Sequence, residues 1–165
     1  MSGIPAGGIY NDDVRNAGEI AEHLPDEYIG SFAAEGEILF GTAVVRGTDP
    51  AGVKTIGAAT DELIGVAGLS FEASQFDDEM YSTGDPVGVV RKGVVVVYVE
   101  EAVKPGDKVR VRHTAAAGKA PGAFGTTAEA GKTAVIEHAE FRGTTTEAGY
   151  VALWVSGPFK LTADV

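Results

Sequence analysis

The sequence predicts an all-β fold, an antiparallel β-sandwich or barrel of jelly-roll type with an extended N-terminal arm. Three observations carry this. Glycine is abundant, 23 residues of 165 alongside 7 prolines, which suits many tight turns and penalises helices, where each interior Gly costs about 1 kcal/mol. Valine is dense between Asp85 and Arg112, and β-branched side chains favour extended backbone. Clusters of turn formers separate short apolar runs throughout, a spacing that suits a sandwich or barrel of about six to nine strands.

Residues 1–36 read as an arm or irregular lead-in to a β domain over residues 37–165. Ile4-Pro5-Ala6-Gly7-Gly8 is turn-like, and Gly18 to Leu24 carries a weak helical pattern that Pro25 ends. From Glu37 the pattern becomes strand: Ile38-Leu39-Phe40 and Ala43-Val44-Val45 flank Gly41-Thr42, and Arg46 to Gly52 is a turn cluster. Leu63 to Leu69, with Gly65 and Gly68, reads as a buried strand. Phe71 to Thr83 reads as an acidic loop, with room for one helical turn over Glu72 to Tyr81. Pro86 to Val90 and Val94 to Val99 read as the arms of a hairpin with Arg91-Lys92-Gly93 at its tip. Lys104-Pro105-Gly106-Asp107 fits a type II turn. After it Val109 and Val111 alternate with Lys108, Arg110 and Arg112, placing the valines in the core and the cations outward. Thr114 to Thr127 is a loop around Phe124. Thr133 to Phe141 and Tyr150 to Val155 form a terminal hairpin joined by the turn-rich Gly143 to Gly149.

Composition narrows the function. With 44% hydrophobic residues the chain can bury a core, and with no cysteine it has no disulfide, thiol nucleophile or cysteine-held zinc. Met1 to Pro5 lacks a basic stretch leading into an apolar one, and the longest apolar run, Val94 to Val99, is far short of the about 20 residues that span a bilayer. A chain soluble as made, with no membrane partner, is expected. The net charge of −11 argues against nucleic acid as a partner. The charge is uneven: eight acidic residues and one Arg lie between Met1 and Glu37, whereas seven basic and three acidic residues lie between Arg91 and Lys119. Lys108, Arg110 and Arg112 are therefore candidate interface residues, with a solvated edge strand as the alternative.

Chemical motifs fail on spacing. Gly131-Lys132-Thr133 resembles the end of a phosphate loop, but five residues rather than four separate it from Gly125, and strand rather than helix follows. His23, His113 and His138 have no ligand spacing, and Asp77-Asp78-Glu79 lacks the alternation of a calcium loop. Ser70 and Ser156 stand in no nucleophile elbow. The stretch Glu101 to Val109 resembles the turns of lipoyl and biotinyl carriers, yet Pro105-Gly106 takes the tip where a carrier needs its lysine, here Lys108. No catalytic, cofactor or metal residue is assigned. Trp154, in an apolar strand, reads as a core or subunit-contact residue.

With the strands placed, an ordered series of phrases resembles the capsid cement, or head decoration, proteins of tailed bacteriophages. It comprises Ile38 to Thr48, Leu63 to Ala67, Tyr81 to Gly93, Glu101 to Val109, Ala139 to Phe141 and Val151 to Val155, covering residues 37–160. The resemblance implies a non-enzymatic virion protein that is made in the bacterial cytoplasm. It implies binding to the major capsid protein on the outer surface of the head, which stabilises the shell, as a symmetric homo-oligomer without cofactors. A trimer is expected from that symmetry and from Phe141, Trp154 and Phe159 as contact aromatics. The alternatives are another virion β module, of tail or spike, and a small β-fold carrier or enzyme domain.

Overall fold

The valine-rich stretch becomes the spine of the molecule. In the computed structural model, which describes residues 16–69 and 80–165, the described residues form strands and no helix. In chain order these are β1 (Ile20–Glu22), β2 (Tyr28–Ala34), β3 (Ile38–Leu39), β4 (Ala43–Arg46), β5 (Gly52–Thr55), β6 (Leu63–Ala67), β7 (Met80–Tyr81) and β8 (Pro86–Val99). They continue with β9 (Arg110–Arg112), β10 (Phe124–Gly125), β11 (Thr133–Ile136), β12 (Ala139–Phe141), β13 (Gly149–Ser156) and β14 (Leu161–Ala163). At 14 residues β8 is the longest. It serves two sub-structures in succession.

Its first half closes a small barrel. β8 pairs with β2, β2 with β5, β5 with β4, β4 with β6, and β6 returns to β8 through Val66↔Val90 and Ala67↔Val89. Only the β2–β5 contact among these is parallel. The ring encloses Ile38, Phe40, Val44, Val53, Ile64, Tyr81, Val87 and Val89. Phe40 and Tyr81 meet edge to face at 5.0 Å, and the Tyr81 hydroxyl donates to the Gly68 carbonyl at 2.6 Å. Burial raises that hydroxyl's pKa, so it stays a neutral donor.

The second half of β8 carries a second sheet. β13 runs antiparallel to it over eight residue pairs from Gly149↔Val99 to Ser156↔Lys92, and β12 adds to β13. On the other edge lie β1 and, through Val99, β10; the sheet then continues to β9, β11 and β14. Alternation lets the barrel wall supply both cores: Val44 and Ile64 point into the ring, while Val45, Leu63, Val66 and Val90 point out of it. These outward residues pack against Val95, Val97, Val99, Phe124, Phe141 and Leu153.

Several expectations change. Arg91-Lys92-Gly93 is no hairpin tip, because β8 runs straight through it. β2 reaches Lys92 from one side, through Tyr28, and β13 from the other, through Ser156. With neighbours on both sides the chain gains more hydrogen bonds by continuing than by turning back. Gly93, at φ +152, takes a backbone angle that other residues rarely adopt. Gly18 to Leu24 holds β1 rather than helix, since Gly18 (φ +78) is pinned by bonds to Val96 and Leu69. Within the span read as a lead-in, Ile20–Glu22 and Tyr28–Ala34 are strands of the main sheet. Arm residues 1–15 and most of the acidic loop, with Asp77-Asp78-Glu79, lie outside the described residues. The Lys104–Asp107 turn forms as expected, with Asp107 N–H on the Lys104 carbonyl at 3.1 Å and Gly106 at φ +92. The terminal hairpin is β12–β13, and the chain goes on to β14, which completes the sheet beyond β11.

Candidate interaction surfaces

The basic strand turns inward. On the face of β9 opposite Val109 and Val111, side chains of the loop that follows it and of Asp164, just past β14, meet the two arginines. Arg112 is buried, 2% exposed. Its Nε and Nη2 donate to the two carboxylate oxygens of Glu100 at 2.6 and 2.9 Å, and its Nη1 reaches Glu129 at 3.2 Å. Lys119 adds Nζ contacts at 3.2 Å to Glu129 and 3.6 Å to Glu100. Hydrogen bonds to Glu100 and Glu129 raise the Arg112 pKa. Arg110 donates Nε to Asp164 at 3.0 Å and Nη1 to the Thr126 carbonyl at 2.6 Å; Asp164 also accepts from the Thr133 hydroxyl at 2.6 Å. The outward placement expected of these cations is thus corrected for Arg112, which is buried, and in part for Arg110, which is half-buried: their donors tie the 113–132 loop and the end of β14 to the sheet. Periodicity put them on the face away from the valines, but nothing local reveals that later residues cover that face. Lys108, just before β9, remains exposed. It stands past the Pro105-Gly106 tip, so the carrier-type placement of a lysine is not met.

Two more carboxylates hold turns. Glu35 accepts the backbone N–H groups of Thr48 and Asp49, both at 2.7 Å. These bonds hold its carboxyl below its usual range. A Cβ at Gly52 would fall 1.9 Å from Glu35 Oε1, so a larger residue there would push this carboxylate off the turn it holds. Glu101 accepts the N–H groups of Thr126 and Thr127 at 2.8 and 2.7 Å and the Thr127 hydroxyl at 2.6 Å. Burial opposes its ionisation, but these bonds outweigh it and its pKa is lowered. Sequence reading did not single out these glutamates, because their partners lie 13 to 26 residues away.

The clamps make stability acid-sensitive. Hydrogen bonds from Arg112, then Lys119, lower the Glu129 pKa from 4.5 to about 2. A depressed carboxylate contributes stability that is complete above its unfolded value and lost as pH falls through the folded one. The urea midpoint should therefore hold steady from pH 8 to about 5 and decline between about 4.5 and 2. Glu129→Gln should lower the plateau and flatten that decline; an unchanged slope would remove Glu129 from the clasp.

The outer face of the second sheet is the other distinctive surface. Glu140 lies opposite Trp154, Trp154 opposite Val94, and Val94 opposite Glu22, so one rung crosses β12, β13, β8 and β1. Further along, Ala152 faces Val96 and Tyr150 faces Tyr98. The tyrosines meet edge to face at 5.7 Å and stay 48% and 39% exposed. The Arg142 guanidinium lies 5.8 Å from the centre of the half-buried Trp154 ring. An open cleft of about 310 Å³ crosses this face between β1 and the turn after β12, floored by Val94, Val96 and Ala152. Of the expected contact aromatics, Trp154 belongs here. Phe141 is 0% exposed and so offers no contact surface on this protomer, and Phe159, partly buried, packs against the second core. The histidines are scattered: His23 follows β1, His113 follows β9, and His138 stands between β11 and β12.

A family profile described as structural cement protein (E217 gp24/Pam3 gp6) matches residues 10–155. Among solved structures, a chain of "The capsid of Myoviridae Phage XM1" superposes with a TM-score of 0.72 at 17% identity, over 94% of this chain and 98% of that one. At that identity the likeness is one of fold. No curated protein sequence matches the chain. The matched span takes in the barrel, both cores and nearly all of the outer sheet face, and the chain belongs to the phage structural cement protein family.

Proposed function

We propose that the chain performs its capsid cement role from the outer surface of an assembled head, as a homo-oligomer and most favourably a trimer, bridging neighbouring capsomers. The family match over residues 10–155 carries this reading. The physics supports it. Many modest contacts, repeated by symmetry, strengthen a shell against internal pressure through effective concentration rather than through any one strong bond. Such a subunit must transmit load without deforming. Here a closed barrel and a second sheet share one strand, and their connecting loops are tied down by Glu35, Glu101 and Arg112. The family is structural, and the reading assigns the chain no catalysis. It is made in the host bacterial cytoplasm and becomes part of the virion on assembly.

Mixing the purified protein with expanded heads lacking it, followed by image reconstruction, tests this directly. Density on the outer surface at symmetry-related positions, with heads that survive higher temperature, is the expected result. Density on the inner surface, or none, would overturn the placement. Native mass spectrometry of the free protein and the symmetry of the bound density together test the trimer, and monomers in both settings would sink it.

A further inference from the structure

We propose that the outer face of the β12–β13–β8–β1 sheet receives a basic, extended segment of the shell protein. This rests on the cement reading and names the surface that carries it out. Val94 and Val96 are 2% and 1% exposed, yet they belong to neither of the two cores. With Ala152 they line the cleft and make that part of its wall apolar. Tyr98 and Tyr150 stand at one end with much of their surface free, an amphipathic pair of the kind enriched where partners bind.

Charge decides the partner. Glu22 and Glu140 are exposed on the Trp154 rung, and among the described residues neither is in an ion pair. The chain carries a net charge of −11. The cleft's own cation, Arg142, lies over the Trp154 ring, so the face sets two carboxylates against one guanidinium, and a second copy laid on it would meet the same acidic excess. A segment bearing Lys or Arg gains twice: its cations pair with Glu22 and Glu140, and its guanidinium groups can lie over the exposed tyrosine rings, as Arg142 already lies over Trp154. The cleft is open and runs across the strands, so it admits side chains of a passing chain rather than enclosing a small molecule.

The test uses heads assembled without the cement protein and three full-length variants. Tyr98→Ser with Tyr150→Ser removes the aromatic pair, and Glu140→Arg reverses the rim charge at an exposed position that leaves packing intact. Lys132→Glu, at an exposed position in the turn before β11, is the control. Each aromatic anchor lost from an interface typically weakens binding by about tenfold or more. The tyrosine variant and the Glu140 variant should each need at least about ten times the concentration to saturate heads, while the control binds like the parent. Parent binding should also weaken as salt rises, and less steeply for Glu140→Arg. If the tyrosine variant melts early, the Glu140 variant still decides. Parent-like binding by the folded variants would overturn the surface assignment while leaving the cement role standing. Normal head binding with loss of the oligomer would give the face to a second copy and overturn the proposal. Failure of the parent itself to bind would remove the cement reading and the proposal with it.

Discussion

Replacing Gly65 by alanine should open the barrel. A Cβ at this position would lie 2.3 Å from the Val90 carbonyl oxygen, 2.9 Å from Val89 Cγ1 and 3.0 Å from the Val90 carbonyl carbon. Two of these three atoms are backbone, so no side-chain rotation relieves the clash. β8 must retreat from β6 just where Val66↔Val90 and Ala67↔Val89 close the ring. Overpacking a core costs about 1–3 kcal/mol, occasionally more, and here the loss of ladder bonds adds to it. A total of about 3 kcal/mol or more is expected, a large share of the about 5–15 kcal/mol that keeps a domain folded. The urea midpoint should fall sharply, and amides of β6 and the first half of β8 should exchange faster than those of β13. Gly149→Ala is the control: a Cβ there meets nothing within 4 Å, and its effect should stay within about 0.5 kcal/mol. A Gly65→Ala midpoint equal to the parent's would show that the ring does not depend on this close approach.

Arg112→Ala should be nearly as damaging, for an electrostatic reason. The substitution removes the bidentate partner of Glu100, whose side chain is 6% exposed, and leaves Lys119 at 3.6 Å as its nearest cation. Removing one member of a buried ion pair typically costs about 3–5 kcal/mol because the other charge stays desolvated. Arg112→Lys should recover little, since an ammonium cannot form the two parallel bonds of a guanidinium. Arg112→Met combined with Glu100→Gln should cost clearly less than Arg112→Met alone, because no unpaired charge is then left inside. A double variant as unstable as the single would show that packing, not charge, explains the role of Arg112. Hydrogen exchange should localise the damage to the 113–132 loop, which Arg112 ties through Glu129 and the Thr114 carbonyl.

Much of the design is local and so was legible in the sequence. Glycine-rich punctuation and β-branched runs set the all-β class, because both act through the φ/ψ freedom of single residues. The Pro105-Gly106 turn and the inward Val109 and Val111 followed from two- to four-residue patterns, and the structure keeps them. The order of the strand phrases pointed to a phage cement protein, and the family match over residues 10–155 agrees. What depended on distant partners was not legible. Arg91-Lys92-Gly93 has the local chemistry of a turn and became mid-strand, because β2 and β13 both arrive to pair with it. Arg110 and Arg112 have the alternation of exposed cations and became internal clasps, because Glu129 and Asp164, 17 and 54 residues further on, fold over them. Periodicity fixes which side of a strand a residue takes. Whether that side meets water, a second layer or a buried carboxylate is set by chain closure over long separations, which only the tertiary structure decides.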